Sequence, residues 1–81
     1  MIMDFKKHIL RKLFRRRVIG GKHTAIEYVM SGVPGHAYGD AKKAAEELIK
    51  EGLLIPKPTS YGLQISLNPE RLPEIAAIIK E

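Results

Sequence analysis

Glycine and proline cut this chain into short pieces, and the positions of those cuts decide what it can become. The breaks fall at Gly20-Gly21, at Ser31-Gly32-Val33-Pro34-Gly35, at Gly52 and at the pair Pro56 and Pro58. Proline removes an amide donor and fixes φ, while glycine permits the left-handed turn that ends a helix. Segments this short do not hold a helix alone in water, so each has to be stabilised by burying an apolar face against the others. With 81 residues there is enough chain for one such core and no more, so residues 1–81 read as a single domain. There is no cysteine, which excludes disulfides, zinc–thiolate sites and thiol nucleophiles. Stability then has to come from packing.

Between the cuts, the spacing of apolar residues names the elements. From Asp4 to Val18 it is helical: Phe5, Ile9, Leu10, Leu13 and Phe14 share one half of the wheel, and Lys7, His8, Arg11, Lys12 and Arg15 share the other. A second helix is expected over Thr24–Met30, opened by the capping box Thr24-Ala-Ile-Glu27 and burying Ile26, Val29 and Met30. A third spans Ala37–Glu51, with Tyr38, Ala41, Ala44, Ala45, Leu48 and Ile49 facing inward. After Gly52 the period changes to two. Leu53–Lys57 and Tyr61–Leu67 read as a hairpin around Pro58-Thr59-Ser60, with Leu63, Ile65 and Leu67 buried and Gln64 and Ser66 wet. The two prolines confine the first strand to a sheet edge. Asn68-Pro69-Glu70 opens a last helix through Leu72, Ile75, Ile78 and Ile79, its first residue being either Pro69 or Pro73. The sum is a mostly α domain with a small β-hairpin.

That order, helix, helix, tight turn, helix, hairpin, helix, resembles a winged helix-turn-helix domain over nearly the whole chain. Thr24–Met30 takes the place of the supporting helix, Ala37–Glu51 that of the recognition helix and Leu53–Leu67 that of the wing. In more detail, Ile19-Gly-Gly-Lys-His-Thr24 and Leu54-Ile-Pro-Lys-Pro-Thr-Ser-Tyr-Gly-Leu-Gln-Ile-Ser-Leu-Asn-Pro-Glu-Arg71 are similar to small archaeal proteins of this fold that have no assigned function. The resemblance therefore bears on fold far more than on function. The scarcity of Asn and Gln beside many Lys, Arg and Glu agrees with a heat-adapted source.

Charge points to the partner. The net charge is +5, and residues 1–40 hold eight Lys or Arg against three acids, whereas residues 41–81 are balanced at six against six. No acidic residue lies between Asp4 and Glu27. A one-sided basic field attracts polyanions or an acidic protein surface. No apolar run has membrane-spanning length and the N-terminus lacks a signal-peptide core, so the expectation is a soluble, cytoplasmic protein without a membrane partner.

The candidate contacts follow from that field. Arg11, Lys12 and Arg15 share a helical face, and Arg16, Arg17, Lys22 and His23 carry the charge into the next loop, as phosphate-backbone contacts require. Gly20-Gly-Lys-His-Thr24 is not a phosphate-binding loop, because Arg16 stands where that motif needs glycine and a helix precedes it. What remains is one phosphate held by the amides at Thr24 with Lys22 alongside. On the third helix His36, Lys42 and Lys43 are the candidates. Asp40, Glu46, Glu47 and Glu51 offset them, and no outward Arg, Asn or Gln is present to read bases, so affinity without much sequence preference is expected. The wing offers Lys57, Thr59 and Ser60. His8, His23 and His36 lack the one-turn spacing of a metal pair and read as isolated surface histidines. No catalytic constellation or cofactor motif is recognisable.

The expected function is thus duplex DNA binding by phosphate contacts, as a small transcriptional regulator. Four or five contacts imply a slope of about −4 in log affinity against log salt. A winged-helix module for an acidic protein partner, and association with RNA or the ribosome, stay open on the same residues. A last helix whose isoleucines are buried implies a monomer, and one whose isoleucines are exposed implies a homodimer.

Overall fold

The structure, a computed structural model, describes residues 4–80. Its first helix, α1 (Phe5–Arg15), is capped by Asp4, whose carboxylate accepts from the Lys7 amide at 3.1 Å. Ile9, Leu10 and Leu13 are fully buried, and Phe5 and Phe14 pack on the rim of the same core. The helix stops at Arg15 and not at the expected Val18, for a local reason. Arg17 adopts φ 54°, and the amides of Val18 and Arg17 reach back to the carbonyls of Leu13 and Phe14, each at 3.1 Å. These are the two bonds of a Schellman motif, which glycine usually closes. Here an arginine takes the left-handed position, which costs about 1–2 kcal/mol for a residue with a Cβ.

The next element departs from expectation. Thr24–Ala25 form a short strand, β1, paired antiparallel with Ile65 and Gln64, so the Thr24–Glu27 capping box does not form. Thr24 is committed to a ladder, where a β-branched residue fits well. The helix after it, α2 (Ile26–Met30), has Ala25 at its N-cap with no side-chain bond, and buries Val29 and Met30. A 3-10 turn at Gly35–Ala37 leads into α3 (Tyr38–Lys50). Ala41, Ala44, Ala45 and Leu48 are buried as expected, and the small alanines let α1 approach closely. Tyr38 is the exception: at 45% exposure it stands at the mouth of a groove beside Met30 and Leu63, outside the core. Gly52, at φ 83°, ends α3 with the same bond pair as α1, from Leu53 to Leu48 (3.0 Å) and from Gly52 to Ile49 (3.1 Å).

The hairpin is β2 (Leu54–Thr59) and β3 (Gly62–Leu67), and the sheet order β1-β3-β2 places β3 in the middle. β2 is thus an edge strand, as its prolines demand. Pro56 and Pro58 have the same parity. In an antiparallel ladder every second residue turns its amide outward, so one side of β2 holds both missing donors. The turn lies later than expected. Thr59 pairs with Gly62, which leaves Ser60-Tyr61 as the two loop residues and Tyr61 outside the strand. The Thr59 hydroxyl braces this turn, donating to the Gly62 carbonyl (2.7 Å) and accepting from the Tyr61 amide (3.2 Å). Ser66, expected to be wet, is fully buried between Ile65 and Leu67. This end of β3 is covered on both faces, and Val18–Gly20 closes on it through Leu67 N–H to Val18 (2.8 Å) and Gly20 N–H to Leu67 (3.1 Å). Once both faces are covered, strand alternation no longer sorts polar from apolar.

Asn68 joins the two halves. Its side-chain oxygen accepts from the Glu70 amide (3.0 Å), and its NH₂ donates to the Gly52 carbonyl (2.9 Å). A 3-10 turn occupies Pro69–Arg71 and α4 runs over Leu72–Lys80, so both prolines sit at helix starts, where a missing donor costs little. Ile75 is fully buried, while Leu72, Ile78 and Ile79 are half-buried against the core. The architecture is mostly helical with a small three-stranded antiparallel sheet. No described helix is long and apolar enough to cross a membrane.

Candidate nucleic-acid interface

The polar side of α1 is organised by the same helical repeat as its buried side. His8, Arg11, Lys12, Arg15 and Arg16 fall at i, i+3, i+4, i+7 and i+8, which is one stripe. Together with Tyr28 from α2 they line an open groove of about 390 Å³. Two cations lie over the Tyr28 ring, Lys12 with its ammonium 4.9 Å from the centroid and Arg16 with its guanidinium carbon at 5.3 Å. Lys12 also donates to the Ser31 carbonyl at the end of α2 (2.8 Å), and Arg11 to the Ile79 carbonyl on α4 (3.1 Å). Among the described residues, none of the four groove cations is in an ion pair.

His8 belongs to this groove, which corrects its reading as an isolated surface histidine. It is half-buried, and its Nε2 is buried with no hydrogen-bond partner among the described residues. Burial first, and then Lys12 and Arg11, hold its pKa below the ordinary value of 6.5. An imidazolium there would be poorly solvated and would stand among like charges.

The remaining candidates are dispersed. Arg17 is exposed, its guanidinium 4.9 Å above the Phe14 ring and donating to the Phe14 carbonyl (3.3 Å). Lys22 is exposed in the following loop and His23 beside it is half-buried. Thr24 offers no helix-start amide for a phosphate, because it sits in β1 and α2 begins only at Ile26. His36 is exposed in the 3-10 turn, and Lys43 is exposed on α3. Lys42 lines a different groove of about 300 Å³ between α2, α3 and β3, in the company of Glu27, Glu46, Tyr38 and apolar Ile26, Met30 and Leu63. Lys57 and Ser60 are exposed on the hairpin, but the Thr59 hydroxyl is occupied in bracing its turn.

The acids of α3 are partly committed to α1. Lys6 bonds Glu51 at 3.0 Å and pairs with Glu47 at 3.4 Å, and its pKa is raised chiefly by the Glu51 bond. The fold therefore gathers Arg11, Lys12, Arg15 and Arg16, and leaves the α3 and hairpin candidates apart from them. Tyr28 and His8 are the contributors that sequence reasoning passed over. The i, i+4 relation of His8 to Lys12 is visible in the sequence, whereas the meeting of α1 with Tyr28 is a tertiary fact. Among the described residues no three His, Asp or Glu side chains converge in a way that could hold a metal ion. The chain matches no protein-family model, no curated protein and no solved structure.

Proposed function

We propose that this chain is a winged helix-turn-helix domain that docks on duplex nucleic acid, DNA in the first place, by gripping backbone phosphates. The fold part of this reading is supported by the order α1, β1, α2, turn, α3 and hairpin, with β1 completing the sheet of the wing. The functional part is carried by one observation: four cations line a single groove in whose wall, among the described residues, no acidic side chain stands. Surface cations ordinarily stand among acids, and the stripe bears the cost of like-charge neighbours at i, i+4, which a polyanion would offset. The left-handed Arg17 adds to this, since a strained arginine held where glycine is the usual choice suggests a use for its charge.

On this reading the grip is led by α1 and α2. The outer face of α3 is electrostatically mixed, with Lys42 beside Glu27 and Glu46, and suits loose contact better than base reading. A labelled duplex followed by fluorescence anisotropy at low salt tests the reading directly, with duplex RNA and single strands as parallel arms. Binding to duplex DNA at micromolar protein is the expected result. No binding to any nucleic acid refutes it, and preference for RNA moves the proposal to an RNA duplex.

A specific observation favours a second reading, docking of a protein partner. The groove between α2, α3 and β3 exposes Tyr38 above Ile26, Met30 and Leu63, and is edged by Lys42, Glu27 and Glu46. An apolar floor with charges of both signs at the rim is what a peptide or protein surface recognises.

A further inference from the structure

We infer that the α1–α2 groove is a discrete, saturable site for a single phosphate group, and that Tyr28 is the positioning residue that builds it. The choice of phosphate among anions rests on the nucleic-acid reading above; the construction of the grip does not.

Three features separate this groove from a diffuse basic face. First, its cations are held in place. Lys12 and Arg16 are long side chains that would sample many rotamers on a bare helix, and each is fixed over the same ring, at 4.9 and 5.3 Å from its centroid. Lys12 is pinned a second time by Ser31 at 2.8 Å. An ammonium has three donors, so one bond and one ring contact leave a donor for a ligand, and the Arg11 guanidinium likewise keeps donors beyond its bond to Ile79. Second, the site is internally unsatisfied. Arg11 and Arg15, Lys12 and Arg15, and Lys12 and Arg16 are like-charged neighbours at i, i+3 or i+4, and no carboxylate of the described residues lies in the wall to relieve them. Third, the groove is concave. About 390 Å³ is ample for one phosphate with its attached atoms.

Tyr28 is what makes the idea testable apart from charge. It carries none, so Tyr28→Leu leaves the net charge of the protein unchanged while removing the surface that aligns Lys12 and Arg16. A diffuse electrostatic face predicts no loss of anion affinity in that variant; a built site predicts about a tenfold loss, from two ring–cation contacts. Tyr28→Phe keeps the ring and restores affinity.

The experiment is an amide NMR titration of the whole chain with sodium sulfate, inorganic phosphate and, as reference, sodium chloride at matched ionic strength. Sulfate is included because its charge does not change between pH 5 and 8. The expected result is saturable shifts confined to His8, Arg11–Arg16 and Tyr28 for sulfate and phosphate, absent with chloride, about tenfold weaker in Tyr28→Leu and recovered in Tyr28→Phe. Shifts that fail to saturate, that spread over Lys22, Lys43 and Lys57, or that chloride reproduces would overturn the inference in the wild-type protein alone, whatever the variants do. A duplex arm separates the two ideas. Saturable phosphate binding without duplex binding upholds the site and refutes the nucleic-acid function, while duplex binding without a saturable phosphate site overturns the site and leaves the function standing.

Discussion

Removing Arg15 and Arg16 together should halve the salt dependence of duplex binding, and the size of that change can be worked from the groove. Four cations line it. If each displaces the counterions of one phosphate, the slope of log affinity against log salt is roughly −0.9 per contact, or about −3.6. Raising salt from about 50 to about 200 mM then weakens binding roughly 150-fold. In Arg15→Ala/Arg16→Ala only Arg11 and Lys12 remain, the slope falls to about −1.8, and the same salt step costs roughly 12-fold. The control is Lys42→Ala/Lys43→Ala, which removes equal charge from α3, where Lys42 is accompanied by Glu27 and Glu46. If α1 leads the grip, the control keeps a slope near −3.6 and loses only a modest, salt-independent part of its affinity. Anisotropy of a labelled duplex at five or so salt concentrations reads both. A flattened slope in the α3 variant with an intact slope in the α1 variant would refute the reasoning and place the third helix at the phosphates. Equal flattening in both would mean that net charge and not the groove is what matters.

Four further outcomes follow from the packing. Ser66→Ala removes a hydroxyl that is buried without a partner among the described residues, so it should stabilise the fold by about 1 kcal/mol, seen as a higher urea midpoint at unchanged m-value. A lower midpoint would mean that the hydroxyl is satisfied in solution. Gly52→Ala should cost about 1 kcal/mol, because the strain lies in φ 83° and the nearest foreign atom to a new Cβ, Arg71 Nη2, is 3.8 Å away; Arg17→Gly should raise stability by less than that, since it also loses the contact with Phe14. His8 has a folded-state pKa below 6.5, so the unfolded chain binds the proton more readily. Its contribution to stability is present above pH 6.5 and is lost as pH falls from there through the lowered folded pKa, a loss that should disappear from the His8→Gln urea profile.

How much of this could be read from the chain alone depended on how local the cause was. The buried stripe of α1, the alanine face of α3 and the edge position of the proline strand all follow from spacing within a few residues. Thr24 could not be placed that way. Its capping-box signature is genuine as a pattern, but the partner that claims it, Ile65, is 41 positions distant in sequence and the two-residue strand has no periodicity to reveal it. Ser66 escapes the pattern because alternation presumes one wet face, whereas Ile65, Ser66 and Leu67 are buried in succession. Tyr38 has the phase of the inner face of its helix, yet at the helix's first residue it reaches only an open groove with Ile26, Met30 and Leu63 and stays 45% exposed. At the candidate site the cations were legible as a charge run, but their division was not. Only the packing of α1 on α2 separates the four that share a groove from Lys42, which keeps company with acids, and brings Tyr28 beneath two of them.

The two prolines of β2 carry a consequence beyond the hairpin they stiffen. Strand-by-strand growth of a sheet from one molecule to the next needs a free row of amide donors at the edge, and on the outer side of β2 positions 56 and 58 have none. On the proposed phosphate-docking role, a protein with a net charge of +5 would crowd side by side on a polyanion, at very high local concentration. Under that crowding an open strand edge would be the first route to irreversible self-association. With acceptors but no donors at 56 and 58, neighbours packed along one polymer in that role would touch at their hairpins and still come apart.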